Sequence, residues 1–197
     1  VKLTGNANAT LEATWHGSMQ DLTVHSDDTL QAGVTPLHSD NPMTVPIKGV
    51  LHADYSGRSK TITLTQSSLR TPQTTIYLNG TAGQRSAMQI HLQANDLSEL
   101  ERVAQAFQTP KPGQPAPPPM GLAGTANFNG TLRGSTSNPT LAGQLVASNL
   151  RVRGTQWRSL RTNIQLSPSQ ASLQNGTLVP VGQGNIGFNL SVGLHKW

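Results

Sequence analysis

Histidine and carboxylate side chains are the first candidates for chemistry in this chain of 197 residues. The six histidines are scattered, and no two have the spacing that places a pair of metal ligands on one helix face. His52 and Asp54 are two residues apart in an alternating pattern, so both point to the same face of a strand. Such a pair offers one or two metal ligands, and a solvated polar face is the preferred interpretation. The sequence therefore predicts no metal site.

Enzyme motifs are missing from the sequence. It contains no G-x-S-x-G, H-E-x-x-H or G-x-x-x-x-G-K-[ST] motif, and no G-x-G-x-x-G that opens a helix. It also has no cysteine, which excludes a thiol nucleophile and a thiolate metal site. All nine acidic residues lie within 1–101, so a carboxylate-dependent site cannot lie in 102–197. We predict a protein that is not an enzyme and has no cofactor; the enzymatic alternative is a glycan hydrolase with a carboxylate pair in the first half.

Basic residues dominate the second half of the chain, where 102–197 hold eight basic and no acidic residues. Charged side chains often protect the edges of sheets from pairing, and this is the preferred interpretation of the cluster. The alternative is contact with an anionic headgroup or an acidic partner. Nucleic acid is not expected as a partner, because only one aromatic side chain is available for stacking near the cluster. The candidate anion contacts are Arg151, Arg153, Arg158 and Arg161.

β-Strands must position these side chains, because alternation of apolar and polar residues dominates the sequence. Sequential strands with short connections favour an antiparallel meander. Ser56-Gly57, Ser137-Asn138-Pro139 and Asn175-Gly176 are turn signals, and Asp27, Asp28 and Asp40 are expected in loops. The strongest alternation covers 1–15, 47–55, 76–82, 88–94, 120–132 and 186–194, and shorter candidate strands are 21–25, 61–65, 140–147, 149–153, 161–167 and 171–174.

A single helix is predicted near 97–107, where Leu97, Leu100 and Phe107 belong to an apolar stripe with helical spacing. Ser98 and Glu101 have the spacing of a capping box. The proline-rich segment 109–119 follows and cannot join a central strand. Because the same alternation resumes after it, we interpret 109–119 as a loop that leaves and rejoins one sheet; a linker between two domains is the alternative. The segments 1–108, which ends in the helix, and 120–197 then belong to one continuous sheet.

The apolar face of this sheet must be covered, because a large apolar side chain left in water forgoes about 1.5–3 kcal/mol. A second sheet, closure into a barrel, or a curl into a U-shaped groove could each cover it. The length of the first strand and the glycines on the apolar face favour the U; a β-sandwich is the alternative. The candidate groove residues are Leu3, Leu11, Ile76, Leu78, Met88, Ile90, Leu92, Leu122, Phe128, Leu132, Ile186, Phe188, Leu190 and Val192.

Glycine, one Asn-Pro pair and alternation characterise the stretches 45–57, 64–72, 78–81, 95–100, 128–143 and 147–150 taken together. On these residues the chain resembles the AsmA-like superfamily of bacterial envelope proteins, in particular the TamB (translocation and assembly module) family. The resemblance implies a β-taco, which is a long sheet folded into an apolar groove. It implies no catalytic residues.

The resemblance also carries expectations about place and partners. It implies a periplasmic protein with an inner-membrane anchor in a segment absent from this chain. It implies phospholipid transport or outer-membrane biogenesis, with lipid acyl chains, flanking segments of the same longer chain and an outer-membrane assembly protein as partners. The alternative function is a structural or adhesive β-scaffold whose polar face binds protein or glycan.

Overall fold

The computed structural model describes residues 2–35, 44–107 and 118–194. These residues form eleven β-strands, one α-helix and a short 3-10 helix, Met19–Asp21, between the first two strands. The strands are β1 (Lys2–Thr14), β2 (Thr23–Thr35), β3 (Val45–Ser56), β4 (Thr61–Arg70), β5 (Thr74–Ala82), β6 (Ser86–Ala94), β7 (Ala123–Ser135), β8 (Asn138–Val152), β9 (Thr155–Ser167), β10 (Gln170–Pro180) and β11 (Ile186–Gly193), and the helix is α1 (Leu97–Phe107).

All eleven strands belong to a single sheet in which the spatial order is the chain order. Each strand is antiparallel to the next, and in the described part of the chain β1 and β11 do not pair, so the sheet is open. β6 pairs with β7, which joins the strands on the two sides of the proline-rich segment. The meander and the short helix at 97–107 confirm the predicted all-β fold.

Accumulated twist curls this sheet into a groove. Neighbouring strands rotate by about 20–25° relative to one another, and strongly twisted open sheets of more than about ten strands curl. The apolar face lies inside the curl. Several large side chains on that face stay exposed, among them Leu11 at 65% and Leu166 at 38%. Part of the apolar face is therefore not buried by the described residues.

The strand register keeps the apolar residues on one face. Cross-strand partners point to the same side of a sheet, and most apolar positions of one strand meet apolar positions of the next, with exceptions such as Ser26 and Thr162. One unbroken row of partners crosses all eleven strands: Leu11, Ser26, Ala53, Leu64, Gly80, Met88, Leu132, Leu141, Leu166, Ala171 and Val192.

Three β-bulges preserve this register where the sequence pattern changes phase. Gln66, Asn149 and Asn175 have φ angles of 48°, 51° and 51°, and each lies where the pairing of its strand shifts by one residue. An inserted residue exchanges the two faces of a strand, so it restores an alternation that has slipped by one position. The prediction of a turn at Asn175-Gly176 was therefore wrong, because both residues lie within β10. The separate candidates 140–147 and 149–153 are one strand, β8.

β2 is longer than the sequence pattern indicated. Asp27 and Asp28 were expected in a loop, but both lie in the middle of β2, which pairs with β1 and β3. Asp28 points to the apolar face, where it accepts a hydrogen bond from the Ser26 hydroxyl at 2.7 Å. Backbone pairing with β1 on one side and β3 on the other outweighs the low strand propensity of aspartate. Asp40 and positions 109–117 of the proline-rich segment lie outside the described residues.

Two phenylalanine rings lie flat on glycines inside the groove. A Cβ atom on Gly176 would lie 2.4 Å from the Cζ atom of its cross-strand partner Phe188. The ring of Phe128 occupies the corresponding space above Gly130 and Gly143. Glycine therefore lets each ring cover the sheet instead of standing in the groove.

We expect Gly176→Ala to destabilise the protein, because the new methyl group occupies the position of the Phe188 ring. Overpacking of this kind costs about 1–3 kcal/mol. Gly182→Ala is the matched control, since nothing lies within 4 Å of a Cβ atom at Gly182. Urea unfolding of both variants measures the difference, and equal midpoints would contradict this account of Gly176.

Candidate functional site

The floor of the groove consists of the predicted apolar residues of β5, β6 and β7. Ile76, Leu92 and Phe128 are cross-strand partners in one row. Leu78 and Ile90 pair in the next row, and Met88 and Leu132 pair in the row after that. Met88 and Phe128 are buried, whereas the other five keep part of their surface exposed. The structure thus brings these seven residues together on one face.

The remaining predicted groove residues lie at the two edges of the sheet and at one end. On β11, Phe188 is half-buried and its neighbours are exposed, with Leu190 at 56% and Val192 at 58%. Ile186 on the same strand is also exposed, as is Leu11 on β1. Leu3 pairs through its backbone with Val34, which gives it the register of the apolar face. Leu122 precedes β7 and packs against the core cluster beside the helix.

Several groove residues were not among the sequence candidates. β8, β9 and β10 contribute Leu141, Leu145, Ile164, Leu166 and Leu173 in register with the predicted floor. Their signal was the same alternation that identified the candidate strands 140–147, 161–167 and 171–174. The apolar floor therefore continues across the whole second half of the sheet.

α1 lies against the apolar face at one end of the groove. The small side chains of Ala94, Ala126 and Ala147 form one cross-strand row and belong to a buried cluster with Leu97 and Leu150. Alanine at these positions leaves room for the helix to approach the sheet closely. The helix contacts β7 and also β2, which is five strands away in the sheet. It therefore reaches across the groove and covers this end.

Two glutamates fasten the helix to the sheet. The Glu99 carboxylate is buried and accepts hydrogen bonds from the Thr71 hydroxyl, from the backbone N–H of Gln73 at 3.1 Å and from the Thr74 hydroxyl at 3.3 Å. Hydrogen bonds to a charged group are stronger than neutral ones. Glu99 thus joins the first turn of α1 to the β4–β5 connection.

Glu101 holds the chain that follows the proline-rich segment. Its carboxylate accepts hydrogen bonds from three consecutive backbone N–H groups, those of Met120, Gly121 at 3.2 Å and Leu122 at 2.8 Å. The predicted capping box of Ser98 and Glu101 was therefore wrong, because Glu101 is used elsewhere.

Asp96 caps the helix instead, and its carboxylate accepts from the Ser98 hydroxyl at 2.7 Å and the Ser98 N–H at 2.9 Å. These two hydrogen bonds, with the hydroxyl contributing most, lower the pKa of Asp96. Which carboxylate caps the helix depends on the chain brought near Glu101.

A ladder of histidine and aspartate side chains lies on the outer, polar face of β2 and β3. His25 donates from Nδ1 to Asp54 at 2.7 Å, and its Nε2 is 3.3 Å from Asp27. His52 Nδ1 lies 2.5 Å from the other oxygen of Asp27. The hydrogen bond to Asp54 is the main cause that raises the pKa of His25, and the hydrogen bond to His52 is the main cause that lowers that of Asp27. Among the described residues no group of three such side chains is arranged to hold a metal ion.

The arginine cluster lies on interior strands of the sheet. Arg151 is on β8 and Arg158 and Arg161 are on β9, and both strands are paired on each side. Protection of a sheet edge, the preferred interpretation of the cluster, is therefore wrong for these three residues because their strands have no free edge. Arg153 lies in the β8–β9 turn with a φ angle of 49°. Arg151 and Arg158 line one pocket of about 440 Å³, and the other two arginines do not.

Comparison of the chain with models of protein families, with curated proteins and with solved structures gave no match. The resemblance to the AsmA-like superfamily therefore stays a prediction. Among the described residues, no helix has the length and apolar character needed to cross a bilayer.

We expect the NMR titration of the His25 ring to have its midpoint above the ordinary value of 6.5. Because the folded state holds this proton more tightly, the contact stabilises the fold below about pH 6.5 and ceases to do so as the pH rises through the raised pKa. Asp54→Asn should lower the midpoint. Asp21→Asn, which changes an acid bound to Arg58, should leave it unchanged. A midpoint insensitive to Asp54→Asn would contradict the assigned cause.

We expect Glu99→Ala to loosen α1, because it leaves the donors at Thr71, Gln73 and Thr74 without their acceptor. The loss is about 1.5–3 kcal/mol, which is typical of hydrogen bonds to a charged group. Glu12→Ala removes an exposed acid from β1 and serves as the control. Hydrogen exchange of the α1 amides measures the effect, and unchanged protection in Glu99→Ala would show that the helix is held by apolar contacts alone.

Proposed function

We propose that this chain is a non-catalytic segment of a periplasmic AsmA/TamB-like protein and that its groove shields lipid acyl chains during phospholipid transport or outer-membrane biogenesis. The observation that carries the proposal is the apolar row that continues across all eleven strands. Only one end of that face is covered by a helix in the described structure. A long apolar surface of this kind needs a further apolar partner.

The dimensions of the groove suit an acyl chain. Strands of 9 to 13 residues, as in β5, β6 and β7, extend for about 30–43 Å. One leaflet contributes about half of the 30 Å hydrocarbon core of a bilayer, so a phospholipid tail fits within this length. Each CH₂ group removed from water contributes about 0.8 kcal/mol. Partly buried residues such as Ile90 and Leu132 would supply the contact surface.

The helix makes the two ends of the groove different. α1 covers the end formed by the C-terminal end of β6 and the N-terminal end of β7. The opposite end is formed by hairpin turns, and Met88 and Leu132 belong to the row nearest to it among the floor residues. We propose that an acyl chain enters along the open side and that its methyl end stops short of Leu97.

The edges of the sheet suit flanking strands as partners. Among the described residues nothing pairs with the outer edges of β1 and β11, and an exposed long strand is a template for further pairing. Flanking segments of the same longer chain would extend the groove at these edges. An inner-membrane anchor in such a segment and an outer-membrane assembly protein as a further partner follow from the family resemblance.

A structural or adhesive scaffold is the second candidate, and one feature of the outer face favours it. Tyr77 and His91 stack with ring centroids 6.1 Å apart, and a hollow of about 400 Å³ beside them is lined by Asn79, Gln89 and Asn129. Aromatic rings next to amides are suited to sugar recognition. Loss of glycan binding in Tyr77→Ala, with unchanged lipid capture, would establish this second function.

A photocrosslinking amino acid placed in the groove should capture lipid in bacterial cells. We expect adducts from Leu132 and Leu190, which face the groove, because an acyl chain would lie within reach of both side chains. Thr131 and Asn189 are the matched controls, since each is adjacent in sequence but faces the other side of the sheet. Mass spectrometry of the purified protein identifies the adducts.

Leu190→Asp provides a second measure, because this exposed side chain contributes little to the fold. The variant should remain folded by circular dichroism and lose most of the lipid that copurifies with the wild type, whereas Asn189→Asp should keep it. Equal capture from both faces, or no lipid adduct from the groove positions, would overturn the proposal. Unfolding of Leu190→Asp would show that the groove is a closed core.

A further inference from the structure

A pocket of about 440 Å³ lies beside the core cluster, where β7, β8 and β9 meet. Two arginines, an asparagine, a glutamine and a tryptophan are among the residues that line it. The lining residues used below are Asn149, Arg151, Gln156, Trp157, Arg158 and Val181.

The fold fixes the positions of these side chains. Asn149 is the bulge residue of β8, and Arg151 is the cross-strand partner of Gln156 on β9. Trp157 packs against the buried cluster beneath α1, which anchors the start of β9. Arg158 donates from Nη2 to the backbone oxygen of Val181 at 3.0 Å, so one nitrogen holds the side chain in place. The pocket is thus built on paired strands instead of a loop.

Charge at the pocket is unbalanced. In the described part of the chain, no carboxylate lies within 4 Å of the Arg151 or Arg158 guanidinium group. The sequence contains no acidic residue after Glu101, so the second half of the sheet cannot supply one. These arginines also have no sheet edge to protect, because β8 and β9 are interior strands. Two unneutralised guanidinium groups lining one cavity favour an anionic ligand.

We infer that this pocket binds a phosphate group, as a phosphate monoester or phosphodiester. Guanidinium groups bind phosphate oxygens through paired hydrogen bonds, and the side-chain amides of Asn149 and Gln156 add donors. The ligand can be the headgroup of a phospholipid or a free phosphate compound. The inference does not require an acyl chain in the groove, because the pocket residues differ from those of the apolar floor.

The test compares two double variants, each of which removes two positive charges. Arg151→Gln/Arg158→Gln alters the pocket, and Arg153→Gln/Arg161→Gln alters arginines of the same cluster outside it. All four side chains are exposed, so both variants should fold. Binding of glycerol 3-phosphate is followed by the indole N–H signal of Trp157 in NMR spectra. Binding of vesicles containing phosphatidylglycerol, with phosphatidylcholine vesicles for comparison, is followed by sedimentation.

We expect the pocket variant to bind glycerol 3-phosphate about tenfold more weakly or worse, because two charge-assisted contacts are lost. The Arg153/Arg161 variant should bind like the wild type. If the pocket variant binds both the vesicles and glycerol 3-phosphate more weakly, the ligand is a lipid headgroup. If it binds only glycerol 3-phosphate more weakly, the ligand is a free phosphate compound. Equal weakening in both variants, or no shift of the Trp157 signal in the wild type, would overturn the inference. Lipid capture from Leu132 is measured separately, so failure of the pocket and failure of the groove are distinguishable.

Discussion

The separation of apolar and polar side chains onto the two faces of one sheet, with few exceptions such as Ser26 and Asp28, is the constraint on which this structure depends. Strand side chains alternate with a period of two, so a single misplaced residue would exchange the faces of everything beyond it. Eleven consecutive strands maintain the separation, and the extra residues Gln66, Asn149 and Asn175 restore it where the sequence changes phase. A bulge is therefore a device for keeping the apolar surface continuous.

Curvature follows from the same constraint, because a sheet of eleven twisted strands with one apolar face lowers its exposed apolar area by curling around that face. Among the described residues, α1 covers one end of the groove by packing Leu97 over Ala94, Ala126 and Ala147. Glu99 and Glu101 then hold the helix through charged hydrogen bonds to the β4–β5 connection and to residues 120–122. The flat placement of Phe128 and Phe188 over glycines keeps the groove wide.

The two faces of the sheet carry different kinds of contact. Apolar burial is confined to the inside of the curl, and the outside carries ordered polar contacts such as His25 with Asp54 and Tyr77 with His91. Acidic residues are limited to the first half of the chain, so the ladder on β2 and β3 has its own counter-charges, whereas within the described ranges no carboxylate lies within 4 Å of Arg151 or Arg158. This difference makes the outer surface near β8 and β9 the natural place for an anionic ligand.

The sequence alone determined most of the strands, the helix at 97–107 and the face on which Ile90 or Leu132 lies, because these depend on periodicity within a short segment. Predictions from the sequence were wrong where contacts with another part of the chain determine the local structure. Asp27 and Asp28 lie in a strand because β1 and β3 pair on both sides, and Asn175 forms a bulge instead of a turn because β9 and β11 continue past it. Asp96 rather than Ser98 caps the helix because Glu101 binds the chain at 120–122. Whether an arginine lies at an edge or in the interior depends on the order of strands, and only the tertiary structure sets that order.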